Sequence, residues 1–208
     1  MNSIIVLGGG GHAKVLIELI MACGKYDIVG VLDPGLPKGS TVLGVTVSGG
    51  DELLDVLFKE GVRMACIGMG AVKDNSVRKN LYAEVRNLGF ETPTLAHPGS
   101  IIARGVKLGE GVQVMAGAVI QADTSIGENT IVNTGAIVDH DCAIGRHVHI
   151  CPGAVVSGGV SIGDDTFVGA GATVINGLRI GGGAVIGAGS VVINDLPQGA
   201  RVVGVPAR

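Results

Sequence analysis

The stretch "VKLGEG VQVMAG AVIQAD TSIGEN TIVNTG AIVDHD CAIGRH VHICPG", residues 106–153, decides the fold. Cut into sixes, its third place is Leu, Ile or Val in every hexad. The series runs on without interruption to Val192, and Ile102 carries it one hexad upstream. First places are nearly always Ala, Val, Thr, Cys or Ser, and sixth places mostly Gly, Asp or Asn. A fixed period sustained this long is the mark of a solenoid. An aliphatic with a small or branched residue two positions earlier puts both on one face of a short strand. The Gly, Asn or Asp that follows supplies a corner with positive φ. Three short sides per coil give a triangular prism of about 18 residues per turn. Residues 100–195 then make about five coils with no inserted loop.

"LPQGARVVGVPAR", 196–208, breaks the period and is expected to cap the last coil, because an open solenoid end exposes unpaired strand edges. Upstream, "TLAHPGS" is a small polar joint, and the grammar changes. "SIIVLG", "YDIVGVLD" and "MACIGMG" read as strands. "KVLIELIMACG", "DELLDVLFKEG" and "NSVRKNLYAEVRNLG" read as helices between and after them, the second with acids in its first turn. Strand–helix alternation predicts a small parallel, Rossmann-like α/β sheet. The expected organisation is therefore an α/β domain over 1–96 and a β-helix of hexapeptide repeats over 97–208.

Composition narrows the function classes. A net charge of −3 with 16% charged residues speaks against a nucleic-acid stripe or a polybasic membrane patch. No run approaches the roughly 18 apolar residues of a membrane span, and "MNSIIVLGGGG" lacks the basic region of a signal peptide. The four cysteines show no metal spacing and no disulfide framework. A cytoplasmic protein that requires no metal, membrane or nucleic acid is the expectation.

The hexad works as a ruler for the chemistry. His140 takes a fifth place and Asp141 a sixth, both at a corner. One coil away on either side stand Ala122 and Gly158, so His140 has room to project outward. A sixth place favours Asp on its own account, for the left-handed turn. His149 takes an outward second place, half a coil from His140. The two cannot share a site within one chain but can across a contact between copies, which favours an oligomer. His147 at another corner is expected to be solvated. Cys142 takes an inward first place and is expected in the core, unreactive. Pro152, Ala170 and Ala188 recur at equivalent fifth places beside Gly153, Gly171 and Gly189, a smooth small-residue column along one corner. Near the start, "GGGGHA" follows a strand and opens a helix, a setting whose backbone N–H groups and dipole suit phosphates. Gly8, Gly10 and Ala13 also fit G-x-G-x-x-A, with Asp33 about 20 residues on, so a nicotinamide cofactor is a rival reading at this point.

"GGGGHAKV", "NTGAIVDHDC" and "GVPAR" together resemble the bacterial hexapeptide-repeat sugar acetyltransferases, the sialic-acid O-acetyltransferase-like group whose members N-acetylate nucleotide-linked 4-amino sugars of the bacillosamine and perosamine type. The resemblance covers essentially the whole chain. It implies a left-handed β-helix, acetyl-CoA as donor, a homotrimer with active sites at subunit interfaces, and a nucleotide sugar held by the N-terminal domain. By position it implies that His140 is the catalytic base and Asp141 its adjacent acid. It places His149 on acetyl-CoA across the interface and Ala170 and Ala188 along the pantetheine path. Gly10, Gly11 and His12 would hold the sugar-nucleotide diphosphate, and Asp33 the nucleoside. Pro34 stands where some relatives have a second Asp, so the base, uracil or guanine, stays open. The implied reaction is direct transfer to an amine, a backbone N–H holding the thioester oxyanion. Sugar O-acetylation and a non-catalytic nucleotide-sugar sensor are the alternatives.

Overall fold

The structure, a computed structural model, describes residues 2–70 and 75–208. The chain folds as two compact units, the first containing residues up to 70 together with 76–95, the second 96–208.

In the first unit, β1 (Asn2–Leu7) lies parallel between β2 (Tyr26–Leu32) and β5 (Met64–Ile67). Ile4 to Leu7 are fully buried, as a central parallel strand covered on both faces requires, which is why this stretch reads as a continuous apolar run. Helix α1 (Gly11–Cys23) connects β1 to β2 and ends at Gly24, whose φ of 62° lets its N–H donate to the carbonyls of Ile20 and Met21. Helices α2 (Leu54–Lys59) and α3 (Ser76–Asn87) flank β5 in sequence. Two strands go beyond the sequence reading. β3 (Thr41–Val42) and β4 (Val45–Gly49) form an antiparallel hairpin, and β4 extends the sheet beside β2, giving the order β3-β4-β2-β1-β5. Its turn residues Leu43 and Gly44 both have positive φ, 46° and 78°, the type I′ condition. Leucine in place of Asn or Asp hides that turn from sequence inspection.

The second unit is a left-handed parallel β-helix. Its two-residue strands stack into three sheets, each residue pairing with the one three hexads on: Ile120 with Val138, Ile126 with Ile144, Val132 with Ile150. The third-place aliphatics from Val114 to Val192 are all at most 4% exposed. First-place residues fill the same core, among them Ala118, Ala136, Cys142 and Val148. Polar first places are buried and satisfied: Thr124 Oγ1 donates to the Asp139 carbonyl and accepts from the Cys142 N–H. The C-terminal segment does cap the last coil. Arg201–Val202 pairs with Val185–Ile186, and Val191 and Ala207 exchange hydrogen bonds with the tail and the final coil.

The glycines fall into two mechanical classes. Sixth-place Gly135 has φ 65° and open space where a Cβ would stand. Fourth-place Gly127 is different: a Cβ there would lie 2.6 Å from Gly145 C and 2.7 Å from Gly145 O and Arg146 N, all backbone of the next coil. Gly127→Ala is therefore expected to overpack the stack by about 1–3 kcal/mol, lowering the melting temperature by roughly 2–4 °C per kcal/mol in a chain of this size. Scanning calorimetry would show it; an unchanged melting temperature would mean that the coils separate without cost.

Candidate active site

Three corners run along the prism, and one carries His140. The strand Ile137–Val138 delivers the chain to it, and Asp141, with φ 58°, turns the chain onto the next face. Asp141 thus does the turning that a sixth-place Asp supplies, and it does more. Its Oδ2 lies 2.7 Å from His140 Nδ1. A carboxylate only accepts, so Nδ1 carries the proton and Nε2 keeps its lone pair. Asp139 Oδ1 accepts the His140 backbone N–H at 2.8 Å, fixing the residue from its other side. Both side chains of the pair are open to solvent, 61% and 65% exposed. The hydrogen bond that His140 donates to Asp141, and next the negative charge of Asp139, raise the His140 pKa above its usual 6.5.

Gly158 sits under the ring. A Cβ at this position would lie 2.6 Å from His140 Cε1 and 2.7 Å from Nε2. Gly158→Ala should therefore push the imidazole off its Asp141 partner while leaving the coil intact. Displacement of a reacting group by about 1 Å costs up to roughly 100-fold in rate. A fall in kcat of about 10- to 100-fold with unchanged KM for acetyl-CoA is expected from steady-state kinetics; wild-type kcat would show that the ring's position is immaterial.

The other histidines separate. His149 does face outward, but it is buried, 6% exposed. In the outward column on its face, Gln113 and Ile131 are likewise buried, 2% and 0% exposed, while Phe167 and Val185 are half-buried. Its ring meets Phe167 edge-on at 5.5 Å, and its Nε2 lies 3.0 Å from the Asn133 amide nitrogen. Asn133 went unnoticed in the sequence. The amide donates, so His149 Nε2 is the acceptor. His147 is not the solvated residue expected: it is half-buried, occupies the sixth place with φ 56°, and its Nδ1 lies 3.0 Å from the Asn129 amide nitrogen. Cys142 is in the core, 2% exposed, its thiol directed to the Ser157 carbonyl, and burial pushes its pKa up.

Pro152, Ala170 and Ala188 lie exposed along a second corner, each followed by a glycine with φ between 64° and 67°. Between this corner and that of His140 runs one face whose outward residues are Ile101, Val119, Ile137, Val155, Thr173 and Val191. Ile101 is 64% exposed and Ile137 38%. The face after the His140 corner carries Lys107, Ser125, Ala143, Ser161 and Arg179 instead.

In the first unit, the glycine-rich loop joins β1 to α1. Gly8 and Gly9 are demanded by their surroundings: a Cβ would lie 2.5 Å from Met69 Cγ and 2.4 Å from Leu36 Cδ1, respectively. Gly10 and Gly11 are exposed and have open space in the Cβ direction. Among the described residues no side chain caps α1, and the N–H groups of its first turn have no partner within the helix. His12 is half-buried in the first turn of that helix. Asp33 turns inward to hold the loop, Oδ2 accepting the Gly9 N–H at 2.7 Å and Oδ1 the Gly35 N–H at 2.8 Å.

Comparison with known proteins fits this layout. Residues 3–85 match the PglD N-terminal domain, 123–158 the bacterial transferase hexapeptide, and 99–122 with 159–193 the hexapeptide repeat of succinyl-transferase. PerB from Caulobacter crescentus, solved with CoA and GDP-perosamine, is 42% identical over 100% of this chain and 97% of its own, with a TM-score of 0.91. The chain belongs to the hexapeptide-repeat sugar N-acetyltransferases. The acetyltransferase is also similar to the acetyltransferase domain of PglB from Neisseria gonorrhoeae, solved with acetyl coenzyme A: 38% identity, 100% of this chain and 99% of that one, TM-score 0.91. UDP-N-acetylbacillosamine N-acetyltransferase of Bacillus subtilis is 40% identical over 130 residues, a match covering 56% of this acetyltransferase and only 52% of that relative. A variant of the Caulobacter enzyme with one histidine changed to asparagine has been solved with CoA and GDP-perosamine; it is 41% identical, with a TM-score of 0.93 over 100% of this chain and 96% of that one.

Proposed function

We propose that this acetyltransferase moves the acetyl group of acetyl-CoA onto the 4-amino group of a nucleotide-diphosphate-linked sugar, with His140 as general base. The observation that carries the reading is the His140–Asp141 pair: an exposed imidazole whose Nδ1–H is held at 2.7 Å by a carboxylate, leaving Nε2 free to take a proton. The amine must lose a proton as it attacks the thioester carbon. His140 Nε2 accepts it, and Asp141 stabilises the imidazolium without itself being protonated. The thiolate of CoA leaves and is reprotonated. No covalent acyl-enzyme is involved, consistent with Cys142 being sealed in the core.

The nucleotide sugar is assigned to the first unit, with its diphosphate at Gly10, Gly11 and His12, where an uncapped helix end meets open backbone. Acetyl-CoA is assigned to the Pro152–Ala170–Ala188 corner, with His149 on the adjoining face. The arrangement of the faces supports a homotrimer. The apolar face lies between the His140 corner and the small-residue corner. If three copies pack these faces around a common axis, one rim of each face meets the opposite rim of the next copy's. His140 of one copy then stands beside the acetyl-CoA corner of its neighbour. The assembly is assigned to the cytoplasm, where acetyl-CoA is made; among the described residues, no helix is long and apolar enough to cross a membrane.

Incubating the protein with acetyl-CoA and UDP- or GDP-linked 4-amino sugars tests the reading. CoA thiol release that depends on the amino sugar, with an amide product stable to hydroxylamine, is expected. A hydroxylamine-labile ester would move the assignment to O-acetylation. Binding of both ligands without any thiol release would leave a sensor and overturn the proposal.

A further inference from the structure

In the first unit, a cavity of about 210 Å³ opens over the C-terminal ends of the sheet, lined by Gly8, Leu32, Asp33, Pro34, Asp51, Met69, Val77 and Leu81. It is smaller than the roughly 300–1,000 Å³ of sites that enclose a whole drug-sized ligand, and fits one aromatic base. Leu32, Pro34, Met69, Val77 and Leu81 give it apolar walls on which a ring can lie. Two acidic residues, Asp33 and Asp51, are among its lining. Asp33 has spent both oxygens on the N–H groups of Gly9 and Gly35. Asp51, half-buried in the first turn after β4, has neither a hydrogen-bond donor nor a cation beside its carboxylate among the described residues. Burial first, then the charges of Glu84, Glu52 and Asp33, push its carboxyl above the usual range. Among the described residues it is an acceptor without a donor.

Only one common base offers what a bare carboxylate accepts. Guanine presents N1–H and N2–H side by side, parallel, at the spacing of two carboxylate oxygens. Uracil and thymine present a single N–H between two carbonyl oxygens, which a carboxylate repels. Adenine and cytosine pair their amino group with a ring-nitrogen acceptor on that edge. We propose that this cavity takes the guanine of a GDP-linked sugar, the Asp51 carboxylate accepting both N1–H and N2–H. The inference rests on the reading of the first unit as a nucleotide-sugar domain and names the nucleotide for it. It also passes the task of nucleoside recognition from Asp33, which is occupied in holding the glycine loop, to Asp51.

Calorimetric titration of the full chain with GDP, UDP, dTDP, CDP, ADP and xanthosine diphosphate tests it, beside the same series on Asp51→Asn. Xanthine has a carbonyl where guanine has its amino group, so an asparagine amide pairs with it. GDP is expected to bind the natural protein about 10- to 100-fold tighter than UDP, the discrimination of one good bidentate contact. Asp51→Asn should lose that margin for GDP and gain xanthosine diphosphate, a reversal that a purely structural Asp51 would not produce. UDP binding as tightly as GDP, or Asp51→Asn keeping its GDP preference, would overturn the guanine assignment and leave the nucleotide-sugar reading standing. No binding of any diphosphate would remove both.

Discussion

His140→Ala is expected to lower kcat by roughly 10²- to 10⁴-fold, the range for losing a general base, while acetyl-CoA binding by titration stays as in the natural protein. The residue is 61% exposed and supports nothing in the core, so the loss would be chemical and not structural. Wild-type turnover would end the assignment. The pH profile supplies a second handle. A base works when neutral, so kcat/KM should rise with pH through the His140 pKa. Asp141 and then Asp139 hold that pKa above 6.5, so the rising limb should lie above that value. Asp141→Asn removes the larger cause and should move the limb toward lower pH, together with a smaller loss of rate than His140→Ala. A limb that stays in place would mean that the titrating group lies elsewhere.

Ala170→Trp should abolish activity by a different route. Ala170 stands exposed in the small-residue column between Pro152 and Ala188, and an indole there fills the corner from outside. Because the side chain points away from the core, the coil has no reason to unfold. Acetyl-CoA is expected to bind roughly 100-fold more weakly or worse, about 2.7 kcal/mol, with the melting temperature nearly unchanged. Normal acetyl-CoA affinity in this variant would take the donor away from this corner.

Much of this was legible because the prism is nearly one-dimensional. A six-residue period fixes what faces in, and three hexads fix what stacks, so Cys142 could be placed in the core and His140 above Gly158 from spacing alone. The ruler says nothing of what covers a face. His149 points outward as counted, yet it is buried against Phe167 and held by Asn133, and no periodicity distinguishes a covered outward place from a bare one. His147 looked idle because its partner Asn129 sits three hexads back, where an αL asparagine already had a reason to be. The α/β unit was harder. Its hairpin hid behind Leu43, and Asp33 at the end of a strand reads in sequence as the residue that holds the nucleoside. In the fold its oxygens accept the N–H groups of Gly9 and Gly35. Asp51 read as a first-turn helix acid, and its place in the cavity depends on the fold of three separate segments.

The central claim is that His140 of one copy works at the acetyl-CoA corner of another. Mixing tests it most directly. His140→Ala and Ala170→Trp proteins, each inactive alone, would be dissociated together, reassembled and assayed. In mixed trimers some interfaces join an intact His140 from one variant to an intact Ala170 corner from the other, and random assembly should restore about a quarter of wild-type activity. Recovery near that level is predicted. A mixture that forms mixed trimers by mass spectrometry yet stays as inactive as its components would contradict the account.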